Sequence, residues 1–119
     1  MEDFDSKQLN IVIRNKLRLL GLKSCNKSTK ILAKTIFYIK SNNIILDDYK
    51  ADEIYCSISK LYDNTTPKNI KDNIDYALSH RNIMKSEQNF ERVFEFEYSE
   101  DVFTNKNFIE DFSNAIDYK

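Results

Sequence analysis

Apolar residues along this chain recur three or four positions apart, with polar residues filling the gaps between them. Leu9, Ile13, Leu17 and Leu20 form one such series. That spacing stacks them on one side of a helix, predicted from about Lys7 to Leu20. Gly21 follows at the position where a left-handed residue ends a helix. A polar stretch, Lys23–Ser28, ends in residues able to cap. Ile31, Leu32, Thr35, Ile36 and Ile39 then make a second stripe, stopped by Ser41-Asn42-Asn43. Ile54, Ile58 and Leu61 mark a third helix, with Asp47 or Asp48 able to cap it.

The sharpest local signal is Asp63-Asn64-Thr65-Thr66-Pro67. A threonine can cap here, and proline fits the first helical position, where its missing N–H costs nothing. Ile70, Ile74, Ala77 and Leu78 give this fourth helix its inward face. Ser86 can open a fifth helix carrying Phe90, Val93 and Phe94. Thr104 or Asn105 opens a sixth with Phe108, Ile109, Phe112 and Ile116. Alternation of apolar and acidic residues over Val93–Tyr98 leaves a short strand open there, though helix is preferred. The expected fold is all-α: a six-helix bundle in one domain spanning 1–119, with residues 1–6 expected to be disordered.

Composition narrows the class. The chain has 119 residues, of which 31% are charged and 41% hydrophobic, which suits one domain with a core of its own. Eight Phe and seven Tyr are too many for a disordered tail. No apolar run approaches the ~20 residues of a membrane helix, so no membrane partner is expected. The start Met1-Glu2-Asp3-Phe4-Asp5 has no apolar stretch behind it, so no signal peptide is expected either. Cys25 and Cys56 read as free thiols of a reducing compartment, which makes the expected location cytoplasmic.

The formal charge of −1 hides an asymmetry. Lys7, Arg14, Lys16, Arg18, Lys23, Lys27, Lys30, Lys34 and Lys40 fall in a stretch without a single Asp or Glu. From Glu87 onward there are nine acids against Arg92, Lys106 and Lys119. Such polarity suits a polyanionic partner or a neighbouring copy of the same chain; it is equally compatible with a plain solvated face.

The third and fourth helices are joined by a short turn, Tyr62 to Thr65, and their apolar residues can bury the angle between them. Helix-turn-helix proteins present a recognition helix in this way. The stretch Asn64-Thr65-Thr66-Pro67-Lys68-Asn69-Ile70-Lys71-Asp72-Asn73-Ile74-Asp75-Tyr76-Ala77-Leu78 resembles part of the C-terminal effector domain of the master sporulation response regulator of endospore-forming Firmicutes. That family carries Asn-Thr-Thr, two residues, then Arg-Val-Glu-Arg-Ala-Ile-Arg-His-Ala-Ile. Leu20-Gly21-Leu22 is similar to its Ile-Gly-Val, and Ile54-Tyr55 with Ile58 to its Leu-Tyr and Ile-Ala. Thr104-Asn105-Lys106-Asn107-Phe108-Ile109 resembles its Thr-Asn-Ser-Glu-Phe-Ile. The likeness runs in order over about residues 8 to 118. It implies a six-helix effector domain that binds promoter DNA and regulates transcription.

Two departures qualify that expectation. The family protein has a receiver domain, whereas this chain begins a few residues before the effector-like part, so no receiver and no aspartyl-phosphate control are expected. Family positions holding Arg, Glu, Arg, Arg and His are occupied by Asn69, Lys71, Asp72, Asp75 and Tyr76. An Arg bidentate to guanine is worth roughly 1–3 kcal/mol of discrimination, and an Asp forfeits it. A changed sequence preference follows, with Lys68, Asn69, Lys71, Asp72, Asp75 and Tyr76 facing the groove. Asp72 and Asp75 share one helix face, both free to meet a partner. Lys23, Lys27, Lys30, Lys34 and Arg81 are the candidate phosphate contacts.

Other chemistry finds little support. One glycine excludes a Gly-rich phosphate loop. His80, the single histidine, lies near the end of the fourth helix, where a helix-dipole contact suffices. No nucleophile–base spacing and no metal-ligand spacing is present, so no enzyme, metal or cofactor is expected. Cys56 reads as a small buried hydrophobe. The leading expectation is a stand-alone DNA-binding transcriptional regulator acting on double-stranded DNA. The alternative is a protein-binding look-alike that modulates the sporulation regulator, or an accessory factor of a mobile-element recombination complex; a second copy of the chain, forming a homodimer, is a further candidate partner.

Overall fold

The computed structural model describes residues 2–23, 25–45, 50–62 and 65–116, with side chains from Ser6 onward. Six α-helices and one short 3-10 turn account for its regular structure, and no strand forms among the described residues. The helices are α1 (Glu2–Leu19), α2 (Lys27–Ser41), α3 (Ala51–Ser59), α4 (Pro67–Ser79), α5 (Ile83–Phe94) and α6 (Asn105–Ala115), with the 3-10 turn at Glu100–Phe103. The all-α expectation holds.

With the exception of Leu61, the periodic stripes became core. Leu9, Ile13, Leu17 and Leu20 of the first series are buried, as are Ile31, Leu32, Ile36 and Ile39 of the second. Ile54, Ile58, Ile70, Ile74 and Leu78 close the α3–α4 side, and Phe90, Phe108 and Phe112 are fully buried at the other end. Phe90 sits at the hub of an aromatic cluster, with Phe94, Phe96, Tyr98 and Phe103 at ring-centroid distances of 4.6, 5.4, 5.0 and 5.9 Å. Edge and tilted packing of this kind adds to the burial of large apolar area.

Several boundaries moved. α1 starts at Glu2, five positions before the expected Lys7. α3 stops at Ser59, so the link to α4 is longer than the roughly 3–4-residue turn of a compact helix-turn-helix. Leu61, off the helix, is exposed rather than buried. The expected caps Asp47 and Asp48, and Asp63-Asn64 of the turn, lie outside the described residues; Lys50 occupies the α3 cap position without a side-chain bond. Ser86 does not open α5. Asn82 does, accepting the Lys85 N–H at 3.1 Å, and Ser86 is buried inside the helix. The alternating segment is neither strand nor helix throughout: α5 ends at Phe94, and Glu95 takes a left-handed conformation at φ 65°.

Gly21 does what a helix-ending glycine is expected to do. The Leu22 N–H bonds to the Leu17 carbonyl and the Gly21 N–H to the Arg18 carbonyl, both at 3.0 Å, which is the Schellman arrangement. Gly21 has φ 92°, and a Cβ there would lie 2.4 Å from the Asn82 carbonyl oxygen. The end of α1 is thereby pressed onto the start of α5. Its last carbonyls find donors there: Asn82 N–H bonds to Gly21 O at 2.9 Å and Asn89 Nδ2 to Leu19 O at 2.9 Å, while Ser86 Oγ donates to Leu20 O.

Gly21→Ala is therefore expected to lose about 2–4 kcal/mol, the sum of backbone strain and overlap with Asn82. Urea unfolding followed by circular dichroism measures it, and a loss below 1 kcal/mol would mean the α1–α5 junction yields easily.

Candidate nucleic-acid interface

α4 is the candidate recognition helix, and its start is built as expected. Thr66 Oγ1 accepts the Asn69 N–H at 3.1 Å, and Pro67 occupies the first turn. With Ile70, Ile74, Ala77 and Leu78 buried, Lys68, Asn69, Lys71, Asp72, Asp75 and Tyr76 are left exposed.

Exposure does not leave all of them free. Lys68 Nζ bonds to Asp72 Oδ2 at 2.7 Å, and this hydrogen bond holds the lysine above its ordinary pKa. Asp75 is tied to α6: Asn105 Nδ2 donates to Asp75 Oδ1 at 2.9 Å and to the Lys71 carbonyl at 3.0 Å. Asn105 in turn accepts from the Tyr55 hydroxyl. Burial, with Asp75 and Asp52 adding negative potential, pushes Tyr55 up to about 12. The expectation that both acids stand free is thus corrected: Asp72 neutralises Lys68, and Asp75 is part of the α3–α4–α6 junction. Tyr76 lies stacked on His80, centroids 3.8 Å apart, and His80 Nδ1 is 3.1 Å from the Tyr76 carbonyl.

The candidate phosphate contacts divide into three groups. Lys30 and Lys34 line a cleft of about 410 Å³ between α1 and α2, together with Arg14, Asn10, Ala33, Phe37 and Tyr62. Lys23 lies on the other flank of α1, in a cleft of about 300 Å³ with Arg18 and Lys85. Arg14 and Arg18, one helical turn apart, connect the two flanks. Lys27 stands at the first position of α2, next to Ser28, whose hydroxyl bonds to Asn73 Oδ1 on α4 at 3.0 Å. This basic band therefore reaches α4 at one end. None of its cations makes a salt bridge among the described residues.

Arg81 does not belong to that band. Its side chain is 4% exposed and fully engaged within the fold. Nε bonds to Ser86 Oγ at 3.0 Å, one terminal nitrogen to the Leu78 carbonyl at 2.9 Å, and the other to the Glu100 carboxylate at 3.0 and 3.1 Å. The guanidinium lies 3.7 Å over the Phe103 ring. Bonds from all three guanidinium nitrogens go to internal acceptors and the side chain is buried, so the expected phosphate contact at Arg81 is withdrawn. Cys56, expected in the core, is exposed, and Cys25 is exposed as well; both are free thiols. Among the described residues no cluster of potential metal ligands forms.

Sequence reading passed over Arg14, Arg18 and Lys85 as site residues. For the first two a signal existed: Lys7, Arg14 and Arg18 recur at helical spacing on the side of α1 away from Leu9, Ile13 and Leu17. Comparison with family models, curated proteins and solved structures finds no match to this chain.

The Tyr98 hydroxyl and Arg81 hold the Glu100 carboxyl below its ordinary value of 4.5. Their contribution is complete above that value and is lost as pH falls through the lower folded value. Because Glu100 is 65% exposed, screening limits the effect to roughly 1 kcal/mol. Glu100→Gln should lower thermal stability at neutral pH and narrow its gap to the parent below pH 4; a constant gap at every pH would show the carboxylate charge to be irrelevant.

Proposed function

We propose that this chain is a DNA-binding transcriptional regulator of the helix-turn-helix type. In this reading α4 enters the major groove and the basic band across α1 and α2 holds phosphates. The observation that carries it is the band itself: cations from an acid-free stretch of sequence, without a salt bridge among the described residues, on a surface that adjoins α4 through Ser28 and Asn73. The four-stretch resemblance to the sporulation effector domain supports the same reading. Phosphate contacts supply affinity and register, and base edges supply sequence choice. With Asp75 tied to Asn105, the α4 positions left for base edges are Asn69, Lys71, Tyr76 and the Lys68–Asp72 pair.

Duplex binding should weaken with salt by a slope near 0.9 per phosphate neutralised. Changing Lys27, Lys30 and Lys34 together to Gln should reduce that slope by about 2–3 and weaken all sequences alike. Fluorescence anisotropy on genomic and random duplexes across a salt series measures both, and an unchanged slope would make these lysines ordinary surface.

A second reading, a protein-binding module that pairs with the sporulation regulator or a recombination complex, has one observation in its favour. Tyr76, Ile83 and Met84 are all at least 49% exposed around the α4–α5 corner, and apolar side chains gathered on a surface suit a protein partner. Asp72→Asn separates the two. If α4 lies against DNA, releasing Lys68 and removing the carboxylate should raise duplex affinity about twofold to tenfold, with the same salt series as readout. Unchanged duplex affinity would take α4 off the DNA and leave the protein-binding reading ahead.

A further inference from the structure

We propose that the cleft between α1 and α2 binds a nucleoside phosphate, its phosphate held by Arg14, Lys30 and Lys34 and its base placed against Phe37 and Tyr62. The cleft measures about 410 Å³, within the range of small-molecule sites. Arg14 offers a planar fork that matches phosphate oxygens, and the two lysines offer point charges. None of the three is committed to a carboxylate among the described residues, so their charge is available to a ligand. Cations alone would suit any anion. The aromatic walls make the difference, because Phe37 and Tyr62 are half-buried, packed against the core and thus fixed in place. Aromatic faces stack on bases of any identity, and the Asn10 amide can donate to or accept from a base edge.

This ligand is distinct from a duplex. In double-stranded DNA the bases are stacked inward and offer no free face to a side cleft. The shared chemistry, a phosphate joined to an exposed base, comes from a free nucleotide or from an unpaired strand.

Isothermal titration of the full chain with AMP, inorganic phosphate and a short single-stranded oligodeoxynucleotide tests the proposal. AMP should bind about tenfold more tightly than inorganic phosphate, the stacking share of the affinity. Arg14→Gln with Lys30→Gln, both at exposed positions, should weaken AMP and phosphate alike by tenfold or more. Tyr62→Leu should bring AMP close to phosphate, and Tyr62→Phe should keep the difference. An oligonucleotide that binds more tightly than AMP assigns the cleft to unpaired strands, and equal affinities assign it to free nucleotides; either sustains the proposal. AMP no tighter than phosphate would overturn it, as would parental AMP affinity in the Arg14/Lys30 double variant. A nucleotide affinity that passes these tests stands whether or not a blunt duplex binds in the same assay.

Discussion

A guanidinium that stays ionised and has 4% of its side chain in water must find acceptors for its N–H groups inside the protein. Arg81 finds them on three different parts of the chain. Leu78 supplies a carbonyl from the end of α4, Ser86 a hydroxyl from α5, and Glu100 a carboxylate from the 3-10 turn. Ser86 passes the connection on by donating to Leu20 at the end of α1. One hydrogen-bonded chain therefore joins α1, α4, α5 and the turn before α6, where apolar packing alone would allow several relative placements. A partly buried ion pair of this kind adds little net stability by itself. What it adds here is a single admissible arrangement, since any slip of α5 along α1 would strand a buried charge and a helix carbonyl together.

That junction also decides what the charged surfaces can do. α1 is held by its C-terminal end to α5 through Gly21, Asn82, Ser86 and Asn89, and by its apolar side to α2. Its outward side is consequently left to Arg14 and Arg18, between two clefts that draw cations from α2 and α5 respectively. Among the described residues from Glu87 onward, the acids fall on α5, the segment that follows it, the 3-10 turn and α6. The dipolar charge distribution is thus a product of which helix each charge sits on, with few ion pairs among the described residues to cancel it.

Periodicity made the bundle legible. Leu9, Ile13, Leu17 and Leu20, or Phe108, Ile109 and Phe112, announce their burial through spacing alone, and the Thr66-Pro67 start and the Gly21 stop are local events that local chemistry specifies. The candidate site was less legible, because its members are decided by partners far away in the chain. Nothing near Arg81 says that Glu100 and Phe103 will close over it. Nothing near Asp75 announces Asn105. Ser86 reads as a helix cap until its neighbour Asn82 is seen to take that role, and the Leu20 carbonyl to need its hydroxyl. Leu61 and Cys56 failed for the opposite reason: α3 ends too early for Leu61, and Cys56 points away from Ile54 and Ile58.

The acids of α4 then acquire a physical role that sequence comparison leaves open. On a groove-facing helix two carboxylates oppose the phosphate field. Asp75, however, holds Asn105 and through it the buried Tyr55 hydroxyl, so its charge serves the packing of α3, α4 and α6. Asp72 is compensated within hydrogen-bond distance by Lys68. The outward face of α4 is therefore close to electrically neutral, with Lys71 as its uncommitted cation, while the strong positive potential lies to one side on α1 and α2. In the DNA-binding function proposed above, such a surface draws the polyanion by the band and leaves α4 to discriminate by shape and hydrogen bonds. Affinity and selectivity are in that proposal assigned to different helices, so that each can be altered without dismantling the other.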